Sequence, residues 1–158
     1  MEIIVRRGTA QDAPALARLR WQWRADARAS GASASNSATV DRATFVDFFS
    51  TWVVDHLATH LPFVAEVDGR LAGMAWLMLP DRVPSVSNLD RRFGDVQSVY
   101  VVPELRNAGV GAALMAAVLA EARARELEFV TVHSSERAVP MYERAGFRAG
   151  QRWLEFRG

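Results

Sequence analysis

One stretch limits what this chain can fold into more than any other. It runs from Asp95 to Val102, meets Pro103, crosses a short polar run and reaches Gly109-Val110-Gly111 at the head of an alanine-rich segment. The first part is β-branched and aromatic and reads as a strand that the proline ends. In the last part Leu114, Val118 and Ala122 recur on one stripe with Met115 and Leu119 beside them, which predicts an amphipathic helix. A strand, a glycine loop and a helix in succession gather unpaired backbone N–H groups and the positive end of a helix dipole around one small space. Such a space suits phosphate, and glycine suits the loop because a Cβ would hold the backbone away from the anion. A tight turn into a helix also uses glycines, so spacing alone leaves both readings open.

The rest of the chain frames that unit. Residues 2–7 predict a strand, and Thr9 with Asp12 outlines a capping box ahead of a first helix on Ala13, Leu16, Leu19, Trp23 and Ala27. Residues 29–38 are all small or polar, hold too little apolar surface to offset ordering entropy, and predict a mobile loop. A second helix is expected from Asp41, with Phe45, Phe48, Phe49, Trp52, Val53, His56 and His60 on one face, stopping before Pro62. Strands over 62–67 and 70–79 flank Asp68-Gly69, a strong hairpin signal. A long connection over 80–94 leads to the strand at 95–102, the glycine loop and its helix. Strand 129–133, a short helix over 136–145 interrupted by Pro140, and a last strand from Phe147 complete the expectation. The order β-α-α-β-β-β-α-β-α-β places the chain in the α/β class, with a central mixed sheet covered by helices on both faces.

Composition removes several functions. At 158 residues the chain is expected to form a single domain over 1–158. Nineteen basic and eighteen acidic residues leave a net charge of +1, no footprint for nucleic acid or an anionic membrane, so neither is expected as a partner. With no cysteine there is no disulfide, thiolate metal ligand or cysteine nucleophile. All nineteen basic residues are arginine, which excludes a Schiff-base lysine and a Walker-type phosphate-binding lysine. The N-terminal apolar run is three residues long and no later one approaches 18, so a cytoplasmic protein is expected. His56 and His60 have the spacing of a metal pair, but apart from Asp55 no neighbour offers to complete a ligand set, and no metal is expected.

The glycine loop admits two sharper readings. A dinucleotide fingerprint needs a third glycine where this chain has Leu114, and that reading is rejected. Arg106-x-x-Gly109-x-Gly111 behind Val99-Tyr100-Val101-Val102-Pro103 resembles instead the acetyl-CoA loop of the GNAT superfamily of N-acetyltransferases. Ser135-x-x-Ala138-x-x-Met141-Tyr142-x-x-x-Gly146-Phe147 is similar to that family's second signature, and the element order agrees along nearly the whole chain. One departure is plain: only eleven residues follow Phe147, where the family often has room for two strands. The final strand is then either missing or supplied by a neighbouring subunit, as in a homodimer.

The resemblance implies direct transfer of an acetyl group from acetyl-CoA, as co-substrate, to an amine, with no covalent enzyme intermediate and no metal. Backbone N–H groups of Arg106, Asn107, Ala108, Gly109, Val110 and Gly111 would hold the pyrophosphate. The backbone of Val99, Tyr100 and Val101 would line the pantetheine arm, with an amide near Val99 polarising the thioester carbonyl. A donor aimed at a developing oxyanion is worth about 2.7–4 kcal/mol. Ser135 would touch the pantetheine, although a serine before a helix is also a natural cap. Tyr142 would protonate the departing thiolate, since a phenol of pKa about 10 stays protonated at neutral pH and can donate to a thiolate whose acid lies near 8.5.

An alkylamine acceptor needs a base: at a pKa near 10.4, about one molecule in a few thousand is neutral at pH 7, a penalty of roughly 4.6 kcal/mol. Asp95, at the start of the central strand, is the first candidate, Glu66 on a neighbouring strand the second and His133 the third. Trp21 lies roughly 140° around the first helix from Leu16, off the core side, where it can line the acceptor pocket or a subunit contact. Gln97 is a candidate polar contact to the acceptor, while Trp23, Trp52, Phe45 and Phe49 read as core. The leading reading is an N-acetyltransferase acting on the primary amine of a small molecule. A protein or peptide N-acetyltransferase and a non-catalytic CoA-binding sensor are the alternatives.

Overall fold

A computed structural model describes residues 1–31, 40–150 and 153–158. Its elements in chain order are β1 (Ile3–Arg7), α1 (Ala13–Ala29), α2 (Arg42–His56), β2 (His60–Val67) and β3 (Arg70–Met78). They continue with β4 (Gly94–Val101), α3 (Val110–Ala124), β5 (Val130–Val132) and α4 (Val139–Arg144). The five strands form one mixed sheet in the order β1-β2-β3-β4-β5, antiparallel throughout except for the parallel pair β4–β5. The α/β class and the helix-covered mixed sheet expected from the sequence are what the chain forms. No helix among the described residues is long and apolar enough to cross a membrane.

Strand alternation assigns the helices to opposite faces of the sheet. Adjacent residues of a strand point to opposite sides. Tyr100 stacks on Trp23 of α1 and Trp76 meets Phe49 of α2, so α1 and α2 cover one face. Gly73 and Val101, each next to a residue that faces those helices, lie against Leu114 of α3 on the other face. The core between these layers holds Leu16, Leu61, Met74, Leu77, Leu114 and Met115, all fully buried. At the β2–β3 hairpin Asp68 and Gly69 both take positive φ, 48° and 77°, the geometry that lets a two-residue turn follow the twist of the strands.

Several boundaries differ from expectation for physical reasons. A 3-10 turn over Ala10–Asp12 precedes α1, with the Thr9 N–H donating to Asp12 Oδ2 at 2.8 Å. Helix α2 stops at His56, and His60 is the first residue of β2, paired with Met78, so the two histidines do not share a helix face. Phe48 points outward and is 69% exposed. Pro140 falls in the first turn of α4, where its missing N–H has no helical partner to lose, and it begins that helix where an interruption was expected. The strand expected at 129–133 contracts to Val130–Val132. Residues 147–150 and 153–158 form no strand, so the sheet ends at β5 among the described residues. Of the loop expected at 29–38, residues 32–38 lie outside the described residues.

An ion cluster fastens the N-terminal strand. Arg6 donates to both oxygens of Asp12 at 2.8 Å and to Glu66 on β2 at 2.9 Å, while Asp12 is only 8% exposed. The Arg6 guanidinium, ahead of the Thr9 N–H, holds the Asp12 carboxyl down to about 2. Because that value lies below the ordinary carboxylate range, the stabilisation is complete above about pH 4 and is lost as pH falls toward 2. Asp12→Ala is expected to cost about 2 kcal/mol at pH 7, the size of a charge-assisted hydrogen-bond loss. Urea unfolding of both proteins at pH 7 and near pH 2 checks this, and the gap between them closes at the lower pH.

Candidate active site

Strand β4 is irregular in the middle and unpartnered at its end. Met74 of β3 faces Tyr100 and Trp76 faces Gln97, so Ala75 alone opposes both Ser98 and Val99. Ser98 takes φ 52°, a β-bulge that kinks the strand. On the other side β5 accompanies β4 only from Gly94 to Val96 and then ends. The backbone of β4 from Val99 onward borders a cleft instead of a neighbouring strand. That cleft has a volume of about 620 Å³.

The mouth of the cleft is the glycine loop. After the 3-10 turn Pro103–Leu105, Asn107 and Gly109 adopt φ 62° and 90°, and α3 begins at Val110. The first helical bond is Ala113 N–H to Gly109 O, which leaves the N–H groups of Val110, Gly111 and Ala112 without helical acceptors at the positive end of the dipole. A Cβ on Gly109 would meet nothing within 4 Å, so its glycine answers to backbone conformation beside open space. A Cβ on Gly111 would lie 2.9 Å from Met141 Sδ, so that glycine admits α4 against α3. Arg106, Asn107, Gly109 and Gly111 line the cleft, while Val110 is 1% exposed and sends its side chain into the core.

Arg106 is held in place from two directions. Its Nε donates to Val101 O at 3.2 Å, and its guanidinium approaches Asp26 of α1 at 3.9 Å. Tyr100 donates its hydroxyl to the same Asp26 carboxylate at 2.5 Å. Burial, reinforced by that carboxylate, pushes the Tyr100 phenol far above its ordinary value, so it is a fixed donor at any working pH.

Tyr142 enters from α4, 7% exposed, with its ring edge-on to Phe147 at 5.5 Å, and lines the cleft. Burial alone raises its pKa above 10, with no charged or hydrogen-bonding neighbour contributing. Val99 and Val101 of β4 lie on the same wall. Ser135 borders the cleft too; its carbonyl begins the 3-10 turn by accepting the Ala138 N–H at 2.9 Å, and its hydroxyl makes no capping bond.

The proposed bases separate spatially. Asp95 lies opposite Thr131, one pair before β5 ends and outside the cleft lining, with Gln97 donating to Oδ2 at 3.0 Å and Thr131 donating to Oδ1 at 2.6 Å. Gln97 lies opposite Trp76, which places both Gln97 and Asp95 on the α1–α2 face. Glu66 pairs with Arg6 and sits on β2, two strands from β4, outside the cleft lining. His133 follows β5, exposed, with Arg157 at 3.3 Å. Trp21 packs on Phe45 at 5.7 Å and lines hollows on the α1–α2 side.

Four residues of this region went unassigned as site groups in the sequence. Trp23, expected in the core, stacks on Tyr100 and walls the cleft. Arg137 and Arg144 add two cations to the lining, yet no spacing rule distinguishes them from the other arginines. Trp76 buries its Nε1 without an acceptor, directly across from Gln97. His56 contacts the Trp52 carbonyl through Nδ1 at 2.7 Å and stacks on its ring, a packed histidine, and no cluster of metal-ligating side chains forms among the described residues.

Residues 18–147 match the acetyltransferase (GNAT) family. Over 92 residues the chain is 36% identical to a glucosamine 6-phosphate N-acetyltransferase from Trypanosoma brucei brucei, a stretch covering 58% of this chain and 60% of that one. Over 88 residues it is 38% identical to a mycothiol acetyltransferase from Thermobispora bispora, covering 54% of this chain and 29% of that one. The chain thus spans less than two thirds of the length of either relative. A predicted acetyltransferase from Clostridium acetobutylicum, solved with acetyl-CoA, shares the fold at a TM-score of 0.74 and 20% identity, over 99% of this chain and 96% of that one. The family match takes in the bulged strand, the glycine loop and the Tyr142 helix alike, and the chain belongs to the GNAT acetyltransferase family.

Proposed function

We propose that this protein is an N-acetyltransferase that moves an acetyl group from acetyl-CoA directly to a primary amine of a small molecule. The observation that carries the reading is the buried Tyr142 at the wall of a cleft that also exposes a strand edge and a helix N-terminus. A long polyphosphorylated thioester fits that surface: the N–H groups of Val110 to Ala112, with Arg106, Arg137 and Arg144, supply positive charge at one end. The open edge of β4 supplies strand-like hydrogen bonds to an amide-bearing arm. The named relatives act, by their descriptions, on glucosamine 6-phosphate and in mycothiol acetylation, which favours a small acceptor.

Acetyl-CoA supplies the activated acyl group as a thioester. In the proposed step the amine nitrogen bonds to the acyl carbon, the carbon–sulfur bond breaks, and the Tyr142 hydroxyl gives its proton to the sulfur. The Val99 N–H, beside the bulge, is the donor suited to the developing oxyanion. Asp95 accepts the proton lost by the amine. Thr131 and Gln97 hold its carboxylate on the α1–α2 face. Glu66 is left out of the step because Arg6 holds it two strands away.

Thiol release from acetyl-CoA, measured against a panel of amines, tests the reading. Tyr142→Phe is expected to lower kcat about 100-fold with little change in the KM for acetyl-CoA, the scale of a lost general acid. The raised pKa of Tyr142 moves any loss of activity from its ionisation to higher pH than an ordinary tyrosine would give, so the alkaline limb of the kcat profile is displaced upward. Arg106→Glu combined with Gly109→Asp is expected to abolish acetyl-CoA binding by calorimetry, since it reverses one charge and adds a carboxylate at the anion end. In Asp95→Asn, kcat/KM for alkylamines is expected to fall at least tenfold at pH 7 and to recover as pH rises and the free amine becomes available. Full activity in Tyr142→Phe would remove the acid from the mechanism.

A further inference from the structure

Helix α1 carries four arginines, and two of them line a hollow next to the cleft. The hollow, about 340 Å³, lies between α1 and the start of α2 and is lined by Arg20, Trp21, Trp23, Arg24, Val40 and Phe45. Trp23 is the shared wall: one side borders this hollow and the other the cleft that holds Tyr142. The hollow therefore adjoins the cleft on the α1–α2 face, the face of Asp95 and Gln97.

Arg20 and Arg24 stand one helical turn apart on the same side of α1, a like-charge pair that destabilises a helix unless something lies between them. Among the described residues neither makes an ion pair or side-chain hydrogen bond, and burial, with Arg24 beside it, lowers the Arg20 pKa. The one carboxylate on α1, Asp26, is committed to Tyr100 and Arg106. Residues 30–40, which join the two helices, contain no Asp or Glu, and Asp41 caps α2 by accepting the Thr44 N–H at 3.0 Å.

Arg6, Arg7, Arg82, Arg91 and Arg125, by contrast, each contact a carboxylate. The Arg20 guanidinium lies over the Trp23 ring at 4.4 Å, an arrangement that fixes its plane and leaves its N–H edge free. A planar, half-buried guanidinium with a free edge beside a second one is suited to bidentate capture of an oxyanion.

We propose that this hollow is the anion subsite of the acceptor, where Arg20 and Arg24 grip a phosphate or carboxylate carried by the amine substrate. The aromatic walls, Trp21, Trp23 and Phe45, flank the body of that substrate and exclude water from the contact. The substrate class is thus an amine that bears an anionic group, distinct from polycationic amines, which the two arginines repel. The assignment to an acceptor rests on the N-acetyltransferase reading, whereas the anion site itself does not.

Two measurements test it. In the first, inorganic phosphate is titrated into the wild-type protein and into the Arg20→Gln, Arg24→Gln double variant, with tryptophan fluorescence as the readout and acetyl-CoA calorimetry as the check on folding. A saturable change in the wild type that the double variant loses supports the site. An Arg18→Gln, Arg42→Gln variant, altered in the neighbouring groove, keeps the response. In the second, kcat/KM is compared within matched pairs: ethanolamine against phosphoethanolamine, glucosamine against glucosamine 6-phosphate, and an amino acid against its amide. The wild type is expected to favour anionic members about tenfold or more, and the double variant to lose that preference through acceptor KM. The phosphate pairs and the carboxylate pair separate the two anion classes.

No saturable phosphate response, or a preference that survives in the double variant, overturns the proposal. A loss that falls on the KM for acetyl-CoA also overturns it, because the arginines then serve the coenzyme. Arginine-dependent phosphate binding without turnover of any amine supports the anion site and sinks the transferase reading instead.

Discussion

The early end of β5 beside Val96 is the constraint on which the site depends. β5 satisfies β4 for three residue pairs and leaves the rest of the longer strand without a neighbour on that side. Beyond Val96 that edge of β4 has no partner strand, and Arg106 Nε takes the Val101 carbonyl near its end. The bulge at Ser98 kinks the strand just past the end of β5, and the stretch from Val99 onward borders the cleft. A sheet that closed this gap would be more regular, and it would have nowhere to place an extended substrate.

The two sheet faces supply different chemistry to that opening. The α3–α4 face brings the helix N-terminus, Arg106 and the buried phenol of Tyr142. The α1–α2 face brings Asp95, Gln97 and a wall of aromatic rings in which Phe49, Trp52 and Trp76 lie within 6.0 Å of one another. Asp26 ties the halves together, since one carboxylate on α1 receives the Tyr100 hydroxyl and faces the Arg106 guanidinium of the loop. A shift of α1 would therefore move the arginine at the anion end as well as the hollow lined by Trp23. Coupling of this kind travels through a single hydrogen-bonded group held in a low-dielectric setting.

An all-arginine basic set suits this arrangement. Arg6 can satisfy Asp12 and Glu66 together because a guanidinium presents several donors in a fixed fork. Arg106 similarly reaches a backbone carbonyl and a carboxylate at once. On α1 the same fork stacks on an indole, with no carboxylate paired to it among the described residues.

Local signals in the sequence determined most of the architecture. Alternation, the Asp68-Gly69 turn, the Asp41 cap and the stripe of α3 are short-range physics, and those elements formed near their expected bounds. The turn at Gly109 was equally legible, because backbone conformation is a property of a few consecutive residues. Tertiary structure alone decided the rest. That Trp23 walls the cleft, that Glu66 belongs to Arg6, and that Arg20 and Arg24 lack a counter-ion depend on residues brought from 60 or more positions away or on their absence. The bulge likewise left no mark in the pattern of 95–102, since its extra residue exists only relative to the register of β3. Periodicity along one segment cannot encode which partner stands opposite it, and in this protein the partners set the chemistry.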